Sequence, residues 1–389
     1  MEKVKLGDAC VFIRNGANIK NDKGKSGIPI TRIETIANGV IDEDSLGYAN
    51  IYDEKYEDYY LKQNDILMSH INSMKHLGKV AICNEDKKII HGMNLLNIRL
   101  KENILAKYVY YFFKTDSFRK QLHKISKQSV NQSSFNVNDL KKISIDLPDF
   151  RTQNRVADIM DKVEEIIDIR KKQIEQLDEL VKSQFVEMFG DIKTNNKNWK
   201  EYDTIGNICI LNPRKSEIDG LGNIEVSFVP MQSVSDKGDI ETKEIKLLND
   251  VKKGFTYFRE NDVLFAKITP CMENGKGAVA HGLKNTIGFG STEFHVIRPT
   301  EKVNSVWMYT YTTFNSFRKE AEKKMTGSAG QKRVPISFFE KYKIAVPPIE
   351  LQNKFGEFVK QVDKQKFEIQ KSLEETQKLQ ESLMNKYFG

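Results

Sequence analysis

Shifted by 199 residues the chain reads onto itself from end to end, and this duplication constrains its architecture more than any other feature. Leu6-Gly7-Asp8 with Cys10 aligns with Ile205-Gly206-Asn207 and Cys209, and Ser117-Phe118-Arg119-Lys120 with Ser316-Phe317-Arg318-Lys319. Leu147-Pro148 and Gln153-Asn154 meet Val346-Pro347 and Gln352-Asn353 in the same way. In the middle the offset slips to 197, where Asn64-Asp65-Ile66-Leu67 matches Asn261-Asp262-Val263-Leu264 and Gly78-Lys79 matches Gly275-Lys276. The chain is a tandem pair of one unit, a globular segment followed by a long helix, so a pseudo-twofold relation between the halves is expected.

Each long segment carries an apolar seam at heptad spacing. The first reads Val163, Ile167, Arg170, Ile174, Leu177, Val181, Gln184 and Met188, and the second Val362, Lys366, Ile369, Leu373, Thr376, Gln380, Leu383 and Tyr387. A buried polar group facing an apolar one costs roughly 1–3 kcal/mol, so the direction of pairing can be decided. Laid antiparallel, Val163 meets Tyr387, Ile167 meets Leu383, Arg170 meets Gln380, Ile174 meets Thr376, Leu177 meets Leu373, Val181 meets Ile369, Gln184 meets Lys366 and Met188 meets Val362. Laid parallel, Arg170 would face Ile369 and Gln184 would face Leu383. An antiparallel coiled coil within one chain is therefore expected. The alternative, two amphipathic helices each packed on its own domain, draws on Ile166, Ile169 and Leu180, which widen the first stripe.

The globular segments read as mixed α and β, giving an α+β fold class. Strands are expected at 65–68, 80–83 and 95–100, and again at 262–268, 277–280 and 293–298. Amphipathic helices follow at about 106–124 and 305–324; their aromatic residues, among them Tyr108, Tyr111, Phe112, Trp307 and Tyr311, read as core. A polar loop, 126–136 or 326–335, and a short strand lead to Pro148 or Pro347-Pro348, which open the long helices. The expected divisions are a first domain at 1–147, a helix at 148–190, a linker at 191–199, a second domain at 200–345 and a second helix at 346–389.

Charge is placed unevenly. Residues 151–190 hold seven basic and nine acidic side chains and residues 350–389 seven of each, so the helices carry −2 and the rest must carry +9 of the net +7. A basic surplus confined to the globular segments suits contact with a polyanion. Cys10, Cys83, Cys209 and Cys271 show no metal spacing and read as reduced core residues, and the six histidines form no ligand cluster. With no apolar run near the roughly 18 residues that cross a bilayer and no signal core in MEKVKLGDAC, a cytoplasmic protein without membrane contact is expected.

Catalytic motifs fail on inspection. Gly24-Lys25-Ser26 has Ile19 where a phosphate loop needs glycine, and Gly288-Phe289-Gly290 lacks the third glycine of a dinucleotide fingerprint and reads as a turn. Asn212-Pro213-Arg214 lacks the second proline and the aromatic of an adenine methyltransferase site, and Asp149 and Asp191-x-Lys193 are separated by a helix. No catalytic, cofactor-binding or metal-binding residue is assigned.

Four stretches carry a family resemblance: Asn261 through Pro270, Gly290 through Pro299, Gly327 through Pro335, and Val346-Pro347-Pro348-Ile349-Glu350-Leu351-Gln352. Together with the repeat, the whole chain resembles a specificity (S) subunit of a type I restriction-modification system. The first half departs from the pattern at 126–136 and 94–99. The resemblance implies two target recognition domains, each reading half of a split double-stranded DNA sequence, joined by helices that fix the gap. It implies no cofactor in this chain, two partner adenine methyltransferase subunits that use S-adenosylmethionine, and added translocase/nuclease subunits for restriction. Two other readings stay open on the residues alone: a fused restriction and methylation enzyme, and a stand-alone DNA-binding scaffold.

Base edges favour Arg, Lys, Asn and Gln, and phosphates accept any donor. The candidate DNA contacts are Lys267, Thr269, Asn274, Lys276, Gln331, Lys332 and Arg333 in the second half, and Lys23, Lys25, Asn72, Lys75, Lys127, Asn131 and Gln132 in the first. The methyltransferases are expected to dock near the outer faces of the helices, where Gln153-Asn154 and Gln352-Asn353 recur. The seam, about 26 residues, spans roughly 39 Å, or some 11–12 base pairs of B-DNA.

Overall fold

The structure is a computed structural model that describes residues 2–19, 26–51, 54–129, 132–328 and 330–389. Lys23, Lys25 and Asn131, and with them the Gly24-Lys25 pair, lie outside the described residues. The chain divides into two compact units, one of residues 1–171 with 371–389 and the other of residues 172–370. Each unit thus takes its globular segment from one half and its helical segments from both.

In the first unit, a four-stranded antiparallel sheet runs in the order Cys10–Asn15, Leu95–Leu100, Ile66–Ser69, Val80–Ile82. All four residues of Ile66–Ser69 are buried, as an apolar run becomes when both faces of a strand are covered. The helices Ala106–Phe113 and Asp116–Ile125 pack on this sheet through Tyr108, Tyr111, Phe112 and Phe118, all at most 3% exposed. In the second unit the corresponding sheet has the same order, Cys209–Leu211, Phe294–Pro299, Val263–Ala266, Gly277–Val279, covered by Ser305–Thr312 and Asn315–Lys323 with Trp307 at 0% exposure.

The long helices run Phe150–Phe189 and Ile349–Phe388. In each unit they pair in opposite directions, so numbers rise along one segment as they fall along its neighbour. In the first unit Gln380 donates to Glu164 at 3.5 Å, and Arg170 donates to the Ser372 carbonyl at 2.5 Å and to the Thr376 hydroxyl. In the second, Lys366 pairs with Asp178 at 2.5 Å and Phe185 lies against Phe355 with ring centroids 5.4 Å apart. Val163, Ile167, Val362, Leu373 and Thr376 are buried, and Arg170, Ile174, Leu177, Val181, Gln184, Met188, Lys366, Ile369, Gln380, Leu383 and Tyr387 are half-buried. The register of the expected layers is corrected: Gln380 lies at Glu164 instead of Arg170, Thr376 at Arg170 instead of Ile174, and Lys366 at Asp178 instead of Gln184, a shift of one to two turns in the same direction throughout. In the register observed each cationic seam residue, Arg170 and Lys366, meets an oxygen acceptor on the facing helix, a charge-assisted match that the expected layers, with an amide facing each, did not offer.

Other expectations are corrected. The helices expected at 106–124 and 305–324 are each two. Thr115 makes the first break by accepting from Phe118 N at 3.1 Å while its hydroxyl donates to the Phe112 carbonyl at 2.7 Å. A second sheet in each unit went unforeseen. In the first unit it runs Gly47–Ala49, Ile28–Ile30, Lys87–Ile90, Tyr60–Leu61, and in the second Ile245–Leu247, Glu225–Val229, Ile287–Gly290, Thr256–Arg259. Gly288-Phe289-Gly290 is therefore strand and not turn. A Cβ on Gly288 would fall 2.1 Å from the Phe258 ring and one on Gly290 2.3 Å from the Val229 carbonyl, so glycine here admits close neighbours. Residues 191–199, expected as a linker, are packed: Ile192 is fully buried and its carbonyl accepts from Ala345 N at 2.7 Å.

Candidate nucleic-acid interface

In both units three backbone segments converge beyond the end of the central strand. In the first unit Lys127 pairs with Ser134 and Ser134 with Ile71, forming the small sheet Lys127–Gln128, Ser133–Ser134, Ile71–Asn72. In the second, Thr326 bridges Arg333 and Arg333 bridges Ile268, the same three places in the repeat. Asn72, Lys127 and Gln132 are thus brought together in the first unit, with Lys75 exposed on the one-turn helix Met74–His76.

In the second unit, Thr269 N donates to the Lys332 carbonyl at 3.0 Å and Val334 N to the Lys267 carbonyl at 2.9 Å. Lys267, Thr269, Gln331, Lys332 and Arg333 therefore share one surface, while Asn274 and Lys276 sit farther along the loop, where the Lys276 ammonium reaches the Met231 carbonyl at 3.3 Å. These seven candidates are not equivalent. Arg333 is half-exposed but its Nε and Nη2 bind Glu293 at 2.9 and 2.8 Å, and its Nη1 the Gln331 carbonyl at 3.0 Å. That hydrogen bonding holds the Glu293 carboxyl below the usual carboxylate range, so the pair is ionised at neutral pH. Burial pulls the Lys267 ammonium below its ordinary pKa. Lys332 is exposed and is the cation here best placed for solvent-side contact.

Beside this surface lies an open cleft of about 590 Å³ lined by Thr269, Glu273, Lys319, Lys323, Met325 and Lys332 among others. Lys319 and Lys323 were missed by the sequence reading. Their signal was available, since they stand four apart on one helix and repeat as Lys120 and Lys124 in the first half.

Several repeated motifs prove to be scaffolding. Asp65 is fully buried and accepts from Arg99 Nε and Nη2 at 2.7 and 2.8 Å and from Asn97 at 2.9 Å; Asp262 accepts from Arg298 Nε and Nη2, both at 2.8 Å. The asparagine before each has φ 68°, the left-handed conformation that Asn tolerates. Gln153 and Gln352 are not part of an outer docking face, which corrects the expectation placed on them: they are 3% and 0% exposed. Gln153 Oε1 accepts from Leu105 N and its Nε2 donates to the Pro148 carbonyl, both at 2.9 Å; Gln352 likewise takes Asn304 N at 2.9 Å and the Pro347 carbonyl at 2.7 Å. Each amide ties the residue that opens a short helix, Leu105 or Asn304, to the carbonyl just before a long one.

The failed catalytic motifs have structural roles as well. Asn212 accepts from Val296 N at 3.0 Å and its amide lies 3.3 Å from His295 Nδ1. His295 Nε2 is 2.8 Å from the Val334 carbonyl, which can only accept, so Nε2 carries a proton; burial takes the pKa down to about 4, so at neutral pH the ring is uncharged. Asp149 caps the first long helix by accepting from Thr152 N at 2.8 Å, and Asp191 accepts from Lys193 N at 2.9 Å. Among the described residues no three His, Cys, Asp or Glu side chains converge as a metal site would require, and no helix is long and apolar enough to cross a membrane.

Comparison with known proteins gives a consistent result. The model of the family described as "Type I restriction modification DNA specificity domain" matches twice, at residues 1–179 and 196–380. A putative type I restriction enzyme MjaX specificity subunit from Methanocaldococcus jannaschii is 32% identical over 399 aligned positions, covering 98% of this chain and 91% of its own. The EcoAI specificity subunit of Escherichia coli is 41% identical over 190, which is 47% of this chain and 32% of that protein. A solved type I S subunit from M. genitalium has the same fold at 13% identity and TM-score 0.55, covering 100% of this chain and 96% of its own. A chain from a structure of type I R-M complex assembly aligns with TM-score 0.57 and 16% identity over 99% of this chain and 97% of its own.

Proposed function

The chain belongs to the type I restriction-modification DNA specificity family, and from this premise we propose how it reads DNA and what it recruits. It is the specificity subunit of a type I system, a recognition component whose two domains bind the two parts of a bipartite target. The observation that carries the reading is the repeated convergence of 127, 134 and 71 in one unit and 326, 333 and 268 in the other. Each unit thereby presents one loop cluster of donors, and two such clusters read two half-sites. We assign the reading to residues 1–147 and 200–345, with Lys332, Lys319 and Lys323 on phosphate and Thr269, Asn274, Gln331, Asn72, Lys127 and Gln132 nearer the bases.

The reaction belongs to partners: two adenine methyltransferase subunits that carry S-adenosylmethionine, with translocase/nuclease subunits for cleavage. The long helices offer them exposed apolar side chains, Ile166 and Ile169 in the first unit and Leu180, Val186 and Phe367, the last 67% exposed, in the second. Side chains of this size left in water on a helix that already has a buried seam suit a protein interface. Co-expression with a methyltransferase subunit of such a system, followed by sequencing of methylated adenines, tests the reading. A split motif with an unread gap is expected. A contiguous motif, or S-adenosylmethionine binding by the isolated chain, refutes it.

A further inference from the structure

We propose that Arg318 is the positioning residue that shapes the 267–276 loop for base reading by the second unit; the inference rests on the DNA-recognition reading above. Its side chain is buried, 6% exposed, and forms no ion pair with a carboxylate among the described residues. Nη1 donates to the Met272 carbonyl at 2.7 Å and Nη2 to the Gly275 carbonyl at 2.9 Å, while the guanidinium carbon stands 4.9 Å from the centre of the Phe265 ring. Nε is buried with no hydrogen-bond partner among the described residues, and burial draws the pKa down to about 10. A cation held by two carbonyls and a ring face is an expensive core residue.

The duplicated unit shows that the fold does not require it. Arg119 occupies the same place in the first half, where its side chain is 67% exposed and pairs with Asp116 at 3.8 Å. There the equivalent loop is closed by apolar contact: Leu77 and Leu122 are buried, and a Cβ on Gly78 would lie 2.4 Å from Leu122. The same helix position therefore holds a loop in one unit and faces solvent in the other.

What Arg318 holds is the part of the second unit that carries the candidate contacts. Met272 and Gly275 flank Asn274 and precede Lys276, so fixing their carbonyls fixes the direction of both side chains. Thr269, at the start of the same turn, is tied to Lys332, which extends the restraint to the 330–333 segment. The planar fork of a guanidinium fixes the two carbonyls relative to each other, whereas an ammonium, a compact charge with rotating donors, does not impose that geometry.

Arg318→Met and Arg318→Lys are introduced into the full chain, co-expressed with its methyltransferase, and the methylated motif is read. Arg318→Met is expected to relax base preference in one half-site by roughly tenfold or more while the other half-site and the gap stay as they were. Arg318→Lys should fall between, and Arg119→Met should alter neither half. Unchanged preference in both halves, or equal relaxation of both, overturns the proposal. Should Arg318→Met not fold, Arg318→Lys decides: an unaltered motif overturns the proposal and one-sided relaxation supports it. If the unsubstituted chain gives no split motif, the recognition reading itself falls, which is distinguishable from a split motif that Arg318 does not affect.

Discussion

Replacing Asp262 with alanine removes the acceptor at the centre of the second unit's polar core. The carboxylate is 1% exposed and takes Arg298 Nε and Nη2 at 2.8 Å each, and Arg259 N at 2.7 Å. Arg298, with its side chain 16% exposed, keeps Glu217 as its remaining carboxylate partner. Breaking a buried pair from one side costs about 3–5 kcal/mol because the other charge is left uncompensated. Glu217 offsets part of that, so about 3 kcal/mol is expected. For a unit of this size 1 kcal/mol moves Tm by about 2–4 °C, giving a fall of about 6–12 °C. Calorimetry with hydrogen exchange resolved by peptide should place the loss in residues 172–370 alone. Asp65→Ala, which strips the fully buried equivalent from Arg99, should give a like loss in the other unit. A loss below about 1 kcal/mol for Asp262→Ala would refute the reasoning, since it would put the pair in the class of solvent-exposed bridges.

Three further outcomes follow from the structure. The His295 pKa is lowered to about 4 from an unfolded value near 6.5, so the unfolded chain binds this proton first and stability falls as pH drops from about 6.5 towards 4. Between pH 7 and 5 this residue should cost about 2 kcal/mol, seen as a shift in urea midpoint that His295→Gln abolishes; equal shifts in both proteins would count against it. Lys332→Ala should weaken DNA binding for all sequences and lower the salt slope by about one, whereas Arg333→Ala should lower affinity for the specific site by freeing the loop that Glu293 now holds; specific binding unaffected by Arg333→Ala removes that residue from the interface. Inserting one heptad into both long helices adds about 10 Å, so the gap in the methylated motif should grow by about three base pairs, and an unchanged gap rejects the spacing role.

Much of this molecule is legible in order of residues because it is written twice. The repeat announced two like units, and the heptad seams announced helices paired in opposite directions. Those features survive in one dimension because they are periodic or duplicated. An inner strand of the helix-covered sheet in each unit was also readable, being a continuous apolar run, Ile66-Leu67-Met68 or Val263-Leu264-Phe265.

Tertiary structure alone decided what the polar residues do. Gln153, Gln352, Asp65, Asp262 and Asn212 look like exposed functional groups in a string of letters, yet each is spent on backbone or guanidinium donors inside the protein. The second sheet of each unit was hidden because its strands are two to five residues long and rest on partners distant in sequence. Arg119 and Arg318 make the point most simply: identical residues in matching motifs, one in solvent and one buried against two carbonyls. Periodicity is set by local geometry and can be read from neighbours. The fate of a hydrogen-bonding group depends on which distant atoms are brought within 3 Å of it, and only the folded chain specifies that.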